Sequence, residues 1–541
     1  MGRTWNERAG WLPCLPAVAA FAYAAWLTVA VNVFFMRPTP AMLQALDEGY
    51  VLAFARRMLE GQNLPYVDAV SHRGPLFYWI AALAVKLFGF GTWMPARATT
   101  LVCMLLTVGL AFAAASIAGR SIAGAVMALV HVAVCASGMP PKDGLAFGSE
   151  HVLTVFAMAA LLCMTWALRR GAPAPSGLWV AMSGALAALC TLTKQVGLVT
   201  ALPLGLWLVA VAIERRDLTR RARIRLAASF ALGLLAPFGI VVARYAASNE
   251  LDAFEYCFVT YNATVYGPAI RGALRWHLVR YAVLRHFDVL VLAALPMGWA
   301  LSRLVVRARP PRFWPAAYAA RGFDLTVAVG AGVSTLVANA SLRDFGHYYL
   351  QALPWVGLTV GVLLHHVVPR APVARLLAIA PLVLVTQGTW YMAAQEYRDD
   401  PSIQGAFHTS DWPICSYLRD TTTASDSIFM WGFDAAPYTA CNRRPASRFV
   451  YTTFVAGFVP WIEDPRSNDD ARATPGARQV LLDELLRDKP AVIFDSAQTM
   501  GGRSVFDYDE LAEFVRANYC RDPVDVHGSA AWVRKPSARC R

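Results

Sequence analysis

Charge is scarce in this sequence: Asp, Glu, Lys and Arg make up 16% of 541 residues, against 57% hydrophobic ones. A water-soluble domain normally carries about 25% charged residues, so a single soluble domain is excluded. Also missing is any Cys/His cluster with zinc spacing, and no Gly-rich phosphate loop follows a predicted strand, so neither nucleotide-sugar nor ATP chemistry is supported. No cofactor is expected. A divalent metal held by Asp47, Glu48 and Glu150 is compatible with carboxylate chemistry but is not the favoured reading. A nucleic-acid partner is not expected either; membrane lipids are.

What the chain has is apolar length. Runs able to cross about 30 Å of hydrocarbon, each needing roughly 20 residues, recur from Trp11 to about Ala393 and then stop. The first, Trp11 to Phe35, follows Arg3 and Arg8 like a signal peptide. It exceeds a normal signal core and ends in Val33-Phe34-Phe35-Met36 without small residues for cleavage, so it reads as an uncleaved anchor.

Basic residues cluster in alternate loops: Arg120, Arg169-Arg170, Arg215 to Arg225, Arg303 to Arg321, and Arg370 with Arg375. The positive-inside rule places these loops and the N-terminus in the cytoplasm. Pro75 to Gly89 looks like a span but would reach only about 22 Å, so it is assigned to the outer interface. The alternation then closes on about eleven spans, near 12–35, 95–117, 121–138, 151–168, 177–193, 196–213, 226–244, 287–302, 323–340, 349–367 and 375–393. From Glu396 onward, 17 Lys/Arg meet 21 Asp/Glu, leaving 32 against 15 before it. The expected organisation is a polytopic α-helical membrane domain over 1–394, with an outer loop at 37–94, followed by a water-soluble α/β domain over 395–541 outside the membrane.

The tail carries a helix through Ile414-Cys415-Tyr417-Leu418, a strand Ser427 to Trp431, a helix Arg478 to Leu486, a strand Ala491 to Phe494, a helix Tyr508 to Tyr519 and a hairpin around Gly528. Cys415, Cys441, Cys520 and Cys540 lie there, and an oxidising compartment would allow disulfides. Four cysteines permit three pairings; proximity in sequence favours Cys415 with Cys441 and Cys520 with Cys540.

This topology collects polar segments on one face: 37–94, 138–150, the Lys194-Gln195 hinge, 245–286, 341–349 and the tail. In the first, Asp47 and Glu48 open a helix whose apolar positions Val51, Phe54, Ala55, Met58 and Leu59 suit an amphipathic helix lying on the bilayer. Acids at a helix start also simply answer the macrodipole. The segment continues through Gly61-Gln62-Asn63-Leu64-Pro65-Tyr66 and His72-Arg73-Gly74-Pro75-Leu76-Phe77-Tyr78-Trp79 to Lys86-Leu87-Phe88-Gly89. Later come Leu192-Thr193-Lys194-Gln195, then Gly346-His347-Tyr348-Tyr349-Leu350-Gln351-Ala352-Leu353-Pro354, then Trp431-Gly432-Phe433-Asp434 and Arg443-Arg444-Pro445.

In this order the motifs resemble the GT-C glycosyltransferases, in the bacterial branch allied to protein O-mannosyltransferases and lipid A aminoarabinose transferases. The resemblance covers nearly the whole chain. Where many relatives have Lys-Pro-Pro, this chain has Arg73-Gly74-Pro75, and the resemblance implies Arg73 as a substrate- or phosphate-binding residue. The resemblance implies an inverting enzyme of the bacterial inner membrane. It would break a sugar C1–phosphate bond in a polyprenyl-phosphate donor while a hydroxyl of a glycolipid, glycan or protein acceptor attacks.

Such a reaction needs a base and an anion sink. The resemblance implies Asp47 as base, with Glu48 orienting Asp47 or the sugar. Lys194, at the outer end of a span, suits a phosphate clamp; snorkelling to the interface is the alternative. His347 offers a further donor beside Tyr348, or is a satisfied interface residue. Glu150, opening a span, suits sugar hydroxyls or an ion pair with Lys142. The Tyr- and Phe-rich stretch from Tyr245 to His286, with Arg271, suits a lipid-phosphate entry groove or ordinary interfacial anchoring. A transporter or flippase would share the many spans, but no inverted repeat is visible and transport does not require a soluble tail. A ligase or polymerase of outer-leaflet polysaccharide would share the compartment and use a lipid diphosphate.

Overall fold

The computed structural model describes residues 14–35, 46–139, 141–169, 175–215, 217–266, 294, 298, 317–340, 345–369, 371–399, 412–458, 469–526, 528–536 and 539. Among these, eight helices are long and apolar enough to cross a membrane: Leu15–Phe34, Met94–Ile117, Ser121–Gly138, Ser149–Ala167, Gln195–Glu214, Arg220–Ala247, Gly322–Asn339 and Pro372–Gln395. Gly177–Thr193 and Leu353–Val367 are shorter apolar helices. Every expected span except 287–302 therefore coincides with a helix; of 287–302 only residues 294 and 298 are described. The chain is a multi-pass membrane protein. Pro75–Phe88, at 14 residues, is a helix too short to span upright, as its length predicts.

The chain divides into two compact units. The first combines Met1–Phe34, Thr100–Arg244 and Leu274–Tyr397. Lipid offers helices no hydrophobic reason to associate, so small residues must allow close packing. Gly357 and Gly361, one turn apart on Leu353–Val367, do this against Ser121–Ala133. A Cβ on Gly361 would stand 2.4 Å from the Ala123 Cα, and one on Gly357 2.9 Å from the Met127 Cα. At one end, Arg120 donates to both carboxylate oxygens of Asp324, at 2.9 and 3.0 Å, and His366 Nε2 lies 2.8 Å from the same carboxylate. Burial alone would make each charge costly; the bidentate pair offsets that cost.

The second unit combines Phe35–Thr99, Tyr245–Ala273 and Arg398–Arg541. The C-terminal tail is thus one part of a body that also takes in residues 35–99 and 245–273. Its sheet has the order β2-β1-β3-β5-β4, with β1 Ser427–Trp431, β2 Arg444–Pro445, β3 Val492–Asp495, β4 Tyr519–Val526 and β5 Ser529–Arg534. β1 pairs parallel to β2 and β3, in register Ile428 with Val492; β5 pairs antiparallel to β3 and β4. β1 and β3 are buried throughout, which explains their unbroken apolar runs. Helices Pro413–Thr421, Ala477–Asp488 and Asp509–Asn518 complete the α/β domain.

The disulfide Cys415–Cys441 is present, and Cys520 is also disulfide-bonded. Cys540 lies outside the described residues.

Helix Leu46–Glu60 corrects one expectation. Val51, Phe54, Ala55 and Met58 are fully buried within the protein, as are Leu52 and Ala53, while Leu59 is 40% exposed, so four of the five stripe residues expected to face the bilayer face protein. Phe54 stacks on Tyr78 with ring centroids 3.8 Å apart, and Tyr50 on Tyr451 at 4.0 Å. A Cβ on Gly49 would meet the Ala436 Cα at 2.6 Å, so glycine is what lets the tail's backbone close over this helix. The helix therefore packs against Pro75–Phe88 through Phe54 and against the tail through Gly49 and Tyr50.

Candidate active site

The expected site residues fall into two groups, one in each unit. In the second unit, the turn opening Leu46–Glu60 separates two adjacent acids. Glu48 is fully buried, and its carboxylate lies 2.6 Å from the Arg97 guanidinium, itself 6% exposed. Asp47 keeps a side chain 38% exposed and lies 2.8 Å from Arg73 Nη2. The arrangement anchors one acid inside and leaves the other accessible beside a cation.

Aromatic residues wall this group. Tyr50 donates its hydroxyl to the Val70 carbonyl at 2.7 Å, and the Tyr78 hydroxyl is bonded to Ser71. Burial holds the Tyr451 phenol well above its usual pKa, and the negative charge of Asp47 pushes it further. Tyr50 and Tyr78 are raised by burial as well, so all three phenols stay protonated at neutral pH. A carboxylate so placed accepts a proton from a hydroxyl within hydrogen-bond reach, and the neighbouring guanidinium fixes its direction.

In the first unit, helix Gly177–Thr193 stops at Lys194, whose extended backbone opens the 3-10 turn Gln195–Thr200. The Lys194 ammonium is bonded to Glu150, in the first turn of Ser149–Ala167, and lies 4.1 Å from the centroid of the Tyr348 ring. Glu150 therefore pairs with Lys194; the Lys142 side chain lies outside the described residues. An ammonium tied to a carboxylate and an aromatic face has partners within the protein, which simple snorkelling does not provide. His347 and Tyr348 come from the 3-10 turn Gly346–Gln351, and His347 Nδ1 lies 3.0 Å from Asp143 Oδ1. Ammonium, imidazole and phenol in one group can receive an anion such as a phosphate.

Three participants escaped the sequence reading: Arg97, Asp143 and Tyr451. Arg97 looks like an ordinary start to an apolar span, and Asp143 is separated from His347 by 204 positions. No local pattern links such residues. Arg271 lies outside the described residues. The described part of the aromatic stretch packs on the segment from Pro65 to His72, with the Tyr245 hydroxyl 2.9 Å from the Pro65 carbonyl and the Asn262 amide 2.9 Å from the His72 carbonyl. Among the described residues, no group of three or more His, Cys, Asp or Glu side chains is placed to hold a metal ion, and Glu48 is engaged by Arg97.

Residues 72–241 match the family model described as dolichyl-phosphate-mannose-protein mannosyltransferase. The matched stretch includes Arg73, Asp143, Glu150 and Lys194, and excludes Asp47, Glu48 and His347. ArnT from Cupriavidus metallidurans, in a crystal structure bound to undecaprenyl phosphate, has a similar fold: TM-score 0.53 and 17% identity, over 97% of this chain and 99% of that one. The Archaeoglobus fulgidus oligosaccharyltransferase tethered with an acceptor peptide matches at TM-score 0.47 and 11% identity, over 96% of this chain and 74% of that one. No curated protein sequence matches. The fold is similar to that of ArnT, with a small C-terminal sheet. The resemblance to the mannosyltransferase family rests on the stretch from His72 to Val241.

Proposed function

We propose that this chain is an inverting glycosyltransferase that moves a monosaccharide from a polyprenyl-phosphate donor to a hydroxyl of a glycolipid, glycan or protein. The observation that carries this reading is the division of labour at Asp47-Glu48: one carboxylate is buried on Arg97, and the other is accessible beside Arg73. Asp47 takes the acceptor's proton as its oxygen bonds to C1. The C1–phosphate bond breaks, its electron pair goes to the phosphate oxygen, and polyprenyl phosphate leaves. Lys194 and His347 receive that phosphate, with Tyr348 holding the ammonium in place; Glu150 binds sugar hydroxyls and balances Lys194. Arg73 orients Asp47, and Glu48 fixes the helix that presents it. Arg271 belongs to the lipid-phosphate entry side. No metal ion or other cofactor takes part.

The reaction is assigned to the outer face of the bacterial inner membrane, with the N-terminus cytoplasmic, residues 1–394 forming the membrane domain and residues 395–541 outside. The Cys415–Cys441 bond supports an oxidising compartment for the tail. The decisive experiment is sugar transfer in membranes supplied with polyprenyl-phosphate sugar. Asp47→Asn is expected to abolish transfer at unchanged expression, and wild-type activity in that variant would overturn the assignment.

A further inference from the structure

Asp143 sits in the short helical turn Pro141–Gly144, and its carboxylate reaches His347 Nδ1 at 3.0 Å. Both side chains are largely buried, at 15% and 22% exposure. A carboxylate on Nδ1 fixes the plane of an imidazole and leaves Nε2 for other work. Among the described residues, Nε2 has no hydrogen-bond partner.

The surroundings favour this one ring position. Phe345 stacks on the imidazole with centroids 5.5 Å apart and planes 18° apart; Tyr348 meets it edge-on at 4.8 Å. The same Tyr348 ring carries the Lys194 ammonium. A Cβ on Gly346 would stand 3.1 Å from Asp143 Oδ2, so the glycine leaves the room in which the carboxylate sits. A carboxylate near an anion site costs repulsion unless a hydrogen-bond donor stands between the two, which gives Asp143 a reason to act through the ring.

We propose that Asp143 is the positioning residue of His347, and that the Nε2 it presents hydrogen-bonds the phosphate of the lipid donor beside Lys194. This rests on the function proposed above and adds to it a residue that acts only through another. Nδ1–H donates to Asp143 and Nε2–H to the phosphate, so the ring in the complex is the doubly protonated imidazolium, a cation between two anions.

The test is the binding of undecaprenyl phosphate to the full-length protein in detergent, with Asp143→Asn, His347→Gln and the double variant. Each single substitution is expected to raise Kd about tenfold, the usual effect of losing a charge-assisted hydrogen bond. The double variant should bind no more weakly than His347→Gln, because Asp143 has nothing left to position. Gly346→Ala, which crowds the carboxylate, should raise Kd about threefold.

An unchanged Kd in Asp143→Asn, or additive losses in the double variant, overturns the proposal. If Asp143→Asn does not fold, His347→Gln and Gly346→Ala decide, and unchanged Kd in both overturns it. Lys194→Ala separates the two levels of inference. If it weakens binding while these variants do not, the function stands and this proposal falls. If wild type binds no undecaprenyl phosphate, both fall.

Discussion

Each unit contains an acid–cation pair flanked by aromatic rings, and the two pairs expose opposite partners. At Asp47–Arg73 the carboxylate is the more accessible member, 38% against 19%. At Lys194–Glu150 it is the cation, 18% against 3%. A salt bridge is electrically symmetrical, but a reaction is not. In the proposed function the more exposed member of each pair meets the substrate, Asp47 as an acceptor of protons and Lys194 as a receiver of negative charge. Glu48–Arg97 completes the contrast, since neither member is accessible.

The strongest way to break this contrast is Asp47→Asn, expected to lower kcat by roughly 1,000-fold, within the range for a lost general base. Circular dichroism should stay unchanged, and activity within tenfold of wild type would erase the distinction. Lys194→Ala is expected to reduce kcat/KM for the lipid donor by about 100-fold, equivalent to about 2.7 kcal/mol of lost charge-assisted binding. A loss appearing only for the acceptor would reverse the roles of the two pairs. Glu48→Gln should act on the fold: uncovering the buried Arg97 costs about 3 kcal/mol, read as a lower melting temperature with kcat per folded molecule preserved. Tyr348→Leu should cost about fivefold in donor KM through the lost cation–π contact. Chelation with EDTA should leave transfer unchanged; loss restored by a divalent ion would add a metal that neither pair requires.

Much of the fold was legible because membrane spans are written in local composition. Runs of the right length became helices, and strands β1 and β3 of the tail lie within a residue of their apolar runs. The candidate site was legible where single residues stand out against lipid, as Lys194 does. It was illegible where a role depends on a partner far along the chain. The Asp143–His347 and Glu48–Arg97 pairs leave no mark in helical or strand periodicity. What covers Leu46–Glu60 was illegible for a related reason: an apolar stripe states that something covers it, and lipid and protein leave the same trace.

The closure of Ala436 over Gly49 has a consequence for how the molecule can be taken apart. Asp47 stands on a helix whose packing partners include Tyr451 and the turn beside Ala436, all belonging to the tail. A protein cut after its last span would keep every membrane helix and lose the mould that shapes its proposed base. The tail is therefore no detachable module: exchanging it between related proteins without refitting its contacts at Gly49 and Tyr50 should yield inserted, correctly threaded and inactive chimaeras.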